Sequence, residues 1–174
     1  MNINIKYTLI SFLFGISLVG CLQKNQENYA WVSSLPNPWS LSEAEFEIFL
    51  PKFHKKYPDF HERLIAINFW RMGTPYQAFC LGEEGGVDTD RIIRVDSSDC
   101  TIHVLTSIVF AESQSWENAR ESMINLHYKS NNKEPSPTYS TRWHFTSDRI
   151  LNHGRTPNIT DQIVHKSLMK FVEI

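Results

Sequence analysis

Apolar residues recur at helical spacing after Ser42, and this pattern predicts the first helix of the folded part. Ser42 and Glu45 stand three residues apart, as in a capping box. The apolar positions that follow share one helix face, and they are Phe46, Phe49, Leu50 and Phe53. Proline lacks a backbone N–H and clashes with the preceding turn, so Pro51 predicts that this helix kinks or ends early.

Three further stretches show helical spacing. One helix is predicted from Pro58-Asp59 to Gly73, where glycine suits a helix end. Another is predicted to begin at Ser115, and its buried positions are Trp116, Ala119, Met123 and Leu126. A last helix is predicted over residues 158–174, with apolar positions at Ile163, Val164, Leu168, Phe171 and Val172.

The pattern changes from polar to apolar at Cys100. Residues 91–95 are rich in β-branched side chains and predict a short strand, and four polar residues, 96–99, follow it. After Cys100 the apolar positions are again helical in spacing, at Val104, Leu105, Ile108 and Val109. Cys100 is therefore predicted to open a buried helix, where a thiol loses its proton more easily. This position suits a nucleophile, and the alternative is a small buried core cysteine.

Composition and charge narrow the class of protein. The chain has 174 residues, of which 41% are hydrophobic, so it is long enough for one domain with a sizeable core. With 17 basic and 19 acidic side chains, it lacks the positive surface that nucleic acids require. We expect no nucleic-acid partner, no cofactor and no metal ion.

The N-terminus has the pattern of a bacterial lipoprotein signal. An apolar run from Tyr7 to Val19 is too short to cross a bilayer comfortably and suits a secretory signal. The run ends in Leu18-Val19-Gly20-Cys21, which resembles a lipobox, so Cys21 is predicted to become the lipidated first residue. An ordinary signal peptide or a short membrane anchor is the alternative.

These signals predict the organisation of the chain and its location. Residues 1–20 form the signal peptide, residues 21–38 a tether, and residues 39–174 the folded domain. Leu22 stands where aspartate would retain a lipoprotein at the inner membrane. We therefore expect an envelope protein that faces the periplasm, anchored through its lipid to the outer membrane.

Candidate chemistry also lies in residues 139–145, where aromatic rings, a guanidinium and an imidazole are close together. Arg142 could bind a carboxylate, and His144 could act as a base or as a hydrogen-bond donor to substrate. A purely structural role for His144 is the alternative. Cys80 and Cys100 could form a disulfide in the periplasm, although we expect Cys100 to remain free.

Three stretches match one family in order and spacing: Met72-Gly73-Thr74-Pro75-Tyr76, Asp99-Cys100-Thr101, and Tyr139-Ser140-Thr141-Arg142-Trp143-His144-Phe145. Together they resemble the N-terminal half of the anhydromuramoyl-L-alanine amidases, a branch of the NlpC-type, papain-like cell-wall cysteine hydrolases. The resemblance implies an α+β papain-like fold for residues 39–174. It also implies cleavage of the amide between anhydro-N-acetylmuramic acid and L-alanine in murein turnover.

The resemblance assigns roles to individual residues. Cys100 corresponds to the nucleophile, and His144 lies in a segment expected to contact substrate or to supply the base. The other residues expected to bind the muropeptide are Thr74, Tyr76, Asp99, Tyr139 and Arg142.

One part of the family pattern is absent. In the family a downstream strand that reads roughly His-Val-Gly-Ile carries the general base, and no stretch after His144 reads that way. We therefore expect a helix-rich N-terminal half without its C-terminal strands, inactive on its own unless His144 serves as base. Three alternatives remain open. A protein partner could supply the strands, the chain could be a non-catalytic lipoprotein that binds muropeptide or a partner, or it could be the product of an interrupted gene.

Overall fold

Five α-helices provide most of the regular structure in this computed structural model, which describes residues 29–129 and 137–155. They are α1 Glu43–Lys56, α2 Phe60–Trp70, α3 Cys100–Glu112, α4 Trp116–His127 and α5 Thr146–Asn152. Residues 29–33 are also helical, and Pro38–Ser40 form a 3-10 helix. Helices α1 to α4 confirm the sequence pattern, which does not predict α5. The predicted helix over residues 158–174 and the predicted signal peptide with Cys21 lie outside the described residues.

Side-chain caps determine where the helices begin. The Glu45 carboxylate accepts a hydrogen bond from the Ser42 N–H at 2.7 Å, which completes the predicted capping box of α1. At the starts of α2, α3 and α4 a side-chain oxygen accepts from the backbone N–H three residues later. These caps are Asp59 (3.0 Å), Asp99 (2.8 Å) and Ser115 (3.1 Å).

Aromatic rings from α1, α2, α3 and α4 meet in the core. The ring of Phe46 lies 5.5 Å from that of Trp70, 4.9 Å from Phe110 and 5.2 Å from Trp116, measured between centroids. All four side chains are buried. At these separations each pair contributes about 0.5–1.5 kcal/mol beyond the burial of its apolar area. Helix α3 packs against both α2 and α4 and is therefore the central helix.

Pro51 does not end the first helix, so the prediction of an early end is wrong. Helix α1 continues past it to Lys56. Pro51 is on the exposed side of α1, while Phe46, Leu50 and Phe53 are fully buried on the other side. Apolar packing before and after the proline therefore holds the helix together across the missing hydrogen bond.

The predicted α+β papain-like fold is also wrong. The described residues contain no β-strand, and only three isolated bridges occur among them: Tyr76–Ser98, Gly85–Asp88 and Tyr128–Arg142. Residues 91–95 have no neighbouring strand with which to form a ladder. Ile92 and Ile93 are consecutive yet both buried, so the side chains do not alternate between two faces as in a sheet.

The packed part of the chain begins before residue 39. Val32 is buried, the ring of Trp31 lies 5.0 Å from that of Phe53, and the indole N–H of Trp70 donates to the Pro36 carbonyl at 2.8 Å. Part of the segment predicted to be a tether thus lies on the core. Within the described ranges, no helix combines the length and apolar character needed to span a bilayer.

Candidate functional site

Cys100 is the first residue of α3, as the sequence predicts. Its thiol is free and exposed. Helix α3 is buried along most of its length, but its first residue is exposed. The positive end of the helix dipole therefore lies at the surface, beside the thiol. Asp99 precedes it and caps the helix through Oδ1.

Residues 74–80 run beside the segment that leads into α3. The Ser98 N–H donates to the Pro75 carbonyl at 2.8 Å, and the Gln77 N–H donates to the Ser98 carbonyl at 3.2 Å. The second carboxylate oxygen of Asp99 accepts from the Phe79 N–H at 3.2 Å. These bonds place the loop of residues 74–80 next to Cys100.

Two of the predicted binding residues belong to this loop. Thr74 is half-buried, and its hydroxyl donates to the Arg71 carbonyl at 2.7 Å, so it helps to form the turn. Tyr76 has its side chain directed away from the core and is 80% exposed.

Cys80 lies at the end of the same loop but is completely buried. Its thiol donates to the Gln77 carbonyl at 3.4 Å and lies 3.6 Å from the Ser97 hydroxyl. Cys80 and Cys100 are both free thiols, so the disulfide between them does not form in this structure.

Residues 138–143 are attached to the end of α4 by backbone hydrogen bonds. The Lys129 N–H donates to the Thr141 carbonyl at 2.6 Å, and the Trp143 N–H donates to the His127 carbonyl at 2.9 Å. In this segment Tyr139 and His144 are exposed and contact each other, with ring centroids 4.6 Å apart. A ring nitrogen of His144 lies 2.8 Å from the Tyr139 carbonyl oxygen.

Arg142 binds two carboxylates of its own chain. Its Nε donates to Glu83 at 2.7 Å, and Nη2 donates to Asp88 at 2.9 Å. The Glu83 side chain is only 4% exposed. Burial acts to raise the pKa of Asp88, but the hydrogen bond and charge of Arg142 and the hydrogen bond from the Asp90 N–H together outweigh it, and the pKa lies below its usual value. The guanidinium is thus engaged in joining residues 83–88 to residues 138–143.

His127, at the end of α4, is a buried histidine that the sequence reasoning missed. Burial, together with the positive charges of Arg149 and Arg142, lowers its pKa to about 3, while Asp99 acts in the opposite direction. The Trp143 N–H donates to the His127 carbonyl at 2.9 Å, and Nη1 of Arg149 lies 3.5 Å from Nδ1 of the imidazole. In the sequence, its only signal is its place at the end of an amphipathic helix.

His103 is a second histidine that the sequence reasoning missed. It lies three residues after Cys100 in α3, and side chains at this spacing share a helix face and lean towards the N-terminus. Burial and the charge of Arg71 hold the pKa of His103 below its usual value. Arg71 is itself buried and donates to the His103 carbonyl at 2.6 Å.

Nothing in the described part of the chain groups three or more side chains of the kind that bind a metal ion. Beside Cys100 at the start of α3 are instead the capping carboxylate of Asp99 and, three residues later in the helix, the imidazole of His103. This set suits thiol chemistry with proton transfer.

The AmiA-like family, described as N-acetylmuramoyl-L-alanine amidase-like, matches residues 66–172, which is more than half of the chain. The chain belongs to the N-acetylmuramoyl-L-alanine amidase-like family. Seven of the eight predicted site residues lie inside this amidase-like match: Thr74, Tyr76, Asp99, Cys100, Tyr139, Arg142 and His144. The match does not extend to the narrower NlpC-type, papain-like branch.

The fold is similar to that of protein LPG0564 from Legionella pneumophila str. Philadelphia 1, whose crystal structure is assigned to the DUF1460 family. The TM-score is 0.55 and the sequence identity 27%, over 72% of this chain. The amidase-like chain spans 45% of the length of the Legionella protein. No curated protein matches the sequence.

Proposed function

We propose that this chain binds murein fragments around Cys100 and that its thiol attacks the amide between anhydro-N-acetylmuramic acid and L-alanine. The observation that carries the proposal is a free, exposed thiol at the N-terminus of a buried helix, inside the amidase-like match. The bond to be broken is the one in the family's description. The anhydro form of the sugar follows from the resemblance of the three sequence stretches.

The chemistry is acyl transfer. The Cys100 thiolate adds to the amide carbonyl, the carbon–nitrogen bond breaks, and the muramoyl group remains on sulfur as a thioester. The leaving nitrogen of L-alanine takes a proton from a histidine, and water then hydrolyses the thioester. Such acid–base assistance is worth on the order of 10²–10⁴ in rate.

Two histidines are candidates for this proton transfer. His103 shares a helix face with Cys100, and its lowered pKa leaves the imidazole neutral and able to accept the thiol proton. His144 is exposed beside Tyr139, in a segment of the resemblance. His127 is less suitable because it is almost fully buried.

The proposal includes a location in the cell envelope. The lipobox pattern at Leu18-Val19-Gly20-Cys21 supports lipidation of Cys21, with residues 1–20 removed and the site facing the periplasm. Metabolic labelling with a palmitate analogue should mark the wild-type protein and leave a Cys21→Ala variant unmarked. Equal labelling of both proteins would rule out this anchor.

The test of the chemistry is capture of the acyl group. The 174-residue chain is incubated with an anhydromuropeptide, quenched in acid and measured by intact-protein mass spectrometry. We expect an adduct of one muramoyl group on Cys100 and released L-alanyl peptide in at least the same amount, because hydrolysis of the thioester allows further turnovers. Cys100→Ala should abolish both products, and the matched variant Cys80→Ala should retain them. Peptide release that persists in Cys100→Ala, or no adduct and no release in any variant, would contradict the proposal.

A further inference from the structure

We propose that Phe79 and Tyr76 form an aromatic platform that stacks against the sugar ring of the murein fragment. The inference rests on the proposed function. It specifies that the sugar of the ligand lies against the loop that carries these two rings, next to Cys100. The two residues are defined here as the platform.

The exposure of both rings is unusual for side chains of this size. Phe79 is 92% exposed and Tyr76 is 80% exposed. Neither ring takes part in the aromatic contacts of the core. Packing within the described residues therefore does not account for two large apolar rings on one short loop, whereas contact with a ligand would.

Asp99 fixes the platform next to the thiol. Its Oδ1 accepts from the Ile102 N–H at 2.8 Å and caps α3, and its Oδ2 accepts from the Phe79 N–H at 3.2 Å. The bridge between Tyr76 and Ser98 holds the other end of the loop to the same segment. Both aromatic residues are thus attached to the backbone within two residues of Cys100.

The backbone of Phe79 is held in a conformation that bulky residues rarely adopt. Its φ angle is +57°, in the left-handed region. The hydrogen bond to Asp99 fixes the Phe79 N–H in that conformation and leaves the ring directed into solvent.

The chemistry of the loop favours the sugar over the peptide. Residues 74–80 carry no charged side chain, so they offer no cation to pair with the carboxylates of a murein peptide. The apolar C–H face of a pyranose ring complements an aromatic face. The sugar is joined to the scissile carbonyl through a short lactyl group, so it must lie beside the thiol during attack. An uncharged aromatic loop in that position suits an uncharged sugar.

The experiment is calorimetric titration in a Cys100→Ala background, which prevents turnover. One probe is anhydro-N-acetylmuramoyl-L-alanyl-D-isoglutamine, and the other is L-alanyl-D-isoglutamine, which lacks the sugar. We expect Phe79→Asn to weaken binding of the sugar-bearing probe roughly ten- to a hundredfold, because a stacked ring would be lost. Asparagine tolerates a positive φ, so the loop should keep its shape.

Matched variants distinguish the loss of an aromatic ring from a disturbance of the fold. Phe79→Trp keeps an aromatic face and should bind within a few-fold of the parent. Tyr76→Ser should weaken the sugar-bearing probe alone. Val87→Ser changes an apolar residue that is 81% exposed but outside the platform, and it should bind like the parent.

The two probes distinguish the ways in which the inference can fail. If Phe79→Asn and Tyr76→Ser bind the sugar-bearing probe as tightly as the parent, the platform is wrong and the proposed function stands. If Phe79→Asn weakens both probes equally, the ring contacts the peptide and the assignment to the sugar is overturned. If the parent binds neither probe, the proposed function fails and the platform fails with it.

Discussion

In the helical core, apolar rings from neighbouring helices pack against one another, whereas the segments around Cys100 are joined by hydrogen bonds and ion pairs. The ring of Phe46, for example, has three aromatic neighbours, one from each of α2, α3 and α4. Around Cys100, by contrast, the position of a segment depends on single polar groups such as Asp99 and Arg142. The comparison indicates that the core sets the global stability, while a few polar contacts set the geometry of the site.

Close packing around Gly82 also determines the conformation of residues near the site. The Tyr128 hydroxyl donates to the Gly82 carbonyl at 2.8 Å. A Cβ atom at Gly82 would lie only 2.5 Å from a carboxylate oxygen of Asp88 and 2.7 Å from the Asp90 carbonyl oxygen. Residues 82–90 can therefore fold back on themselves only because position 82 has no side chain.

The largest effect is expected in the core. Phe46→Ala should lower the free energy of unfolding by about 3–5 kcal/mol, because it removes a fully buried ring and leaves a cavity. Urea denaturation followed by circular dichroism measures the change. A loss below about 1 kcal/mol would show that the aromatic cluster does not dominate stability.

Arg142→Ala should lower the free energy of unfolding by about 3 kcal/mol, because it leaves the buried Glu83 carboxylate without its cation. The matched control is Arg120→Ala, which breaks the more exposed pair with Glu84 and should cost less than about 1 kcal/mol. Native-state alkylation of Cys80, which is buried in the same region, should also accelerate in Arg142→Ala. Equal losses in the two variants would contradict the distinction between buried and exposed pairs.

Acid should destabilise the protein through His127. The folded protein holds this imidazole neutral down to about pH 3, while the unfolded chain takes up a proton near the usual pKa of about 6.5. Stability contributed by the neutral form is therefore lost as the pH falls between these values, by about 2 kcal/mol from about pH 7 to about pH 5. Urea denaturation at both pH values gives the difference.

The control for this pH dependence is His127→Gln, which cannot titrate. The other histidines are retained in the variant, so their contributions cancel when the two pH dependences are compared. The same loss of stability in the parent and in His127→Gln would assign the acid sensitivity to other groups.

The smallest effect on stability is expected at a helix cap. Asp99→Ala should lower the free energy of unfolding by about 1 kcal/mol, because it removes the capping bond of α3. The matched control is Asp59→Ala, which removes the capping bond of α2. Only Asp99→Ala also releases the Phe79 N–H, so only this variant should change the alkylation rate of Cys100 with iodoacetamide. Identical alkylation rates in the two variants would mean that the second bond of Asp99 has no influence on the site.

Local signals explain which parts of the fold were predictable. Helices α1 to α4 begin at capping residues and follow apolar stripes, and both features are properties of a few neighbouring residues. The effect of Pro51 could not be predicted in the same way, because packing of Leu50 and Phe53 against other helices overrides it. The prediction of a strand at residues 91–95 was wrong because a strand requires a partner strand, and a local pattern cannot show whether one is present.

The site was predictable only in part. The place of Cys100 at a helix start was predicted because a change from polar to apolar residues marks that start. The partners of Arg142, Glu83 and Asp88, precede it by more than fifty residues, so their contacts depend on the tertiary fold. The burial of His127 likewise follows from the packing of α4.

The central claim is that Cys100 is the nucleophile of a site that binds muramoyl groups. Its most direct test is labelling with anhydro-N-acetylmuramic acid that carries a chloromethyl ketone in place of the alanyl amide. The account predicts that the labelling rate saturates with reagent concentration, that mass spectrometry finds the adduct on Cys100 and not on Cys80, and that an anhydromuropeptide slows the reaction. A rate that rises linearly, equals that of chloroacetamide and shows no protection by the muropeptide would contradict the account.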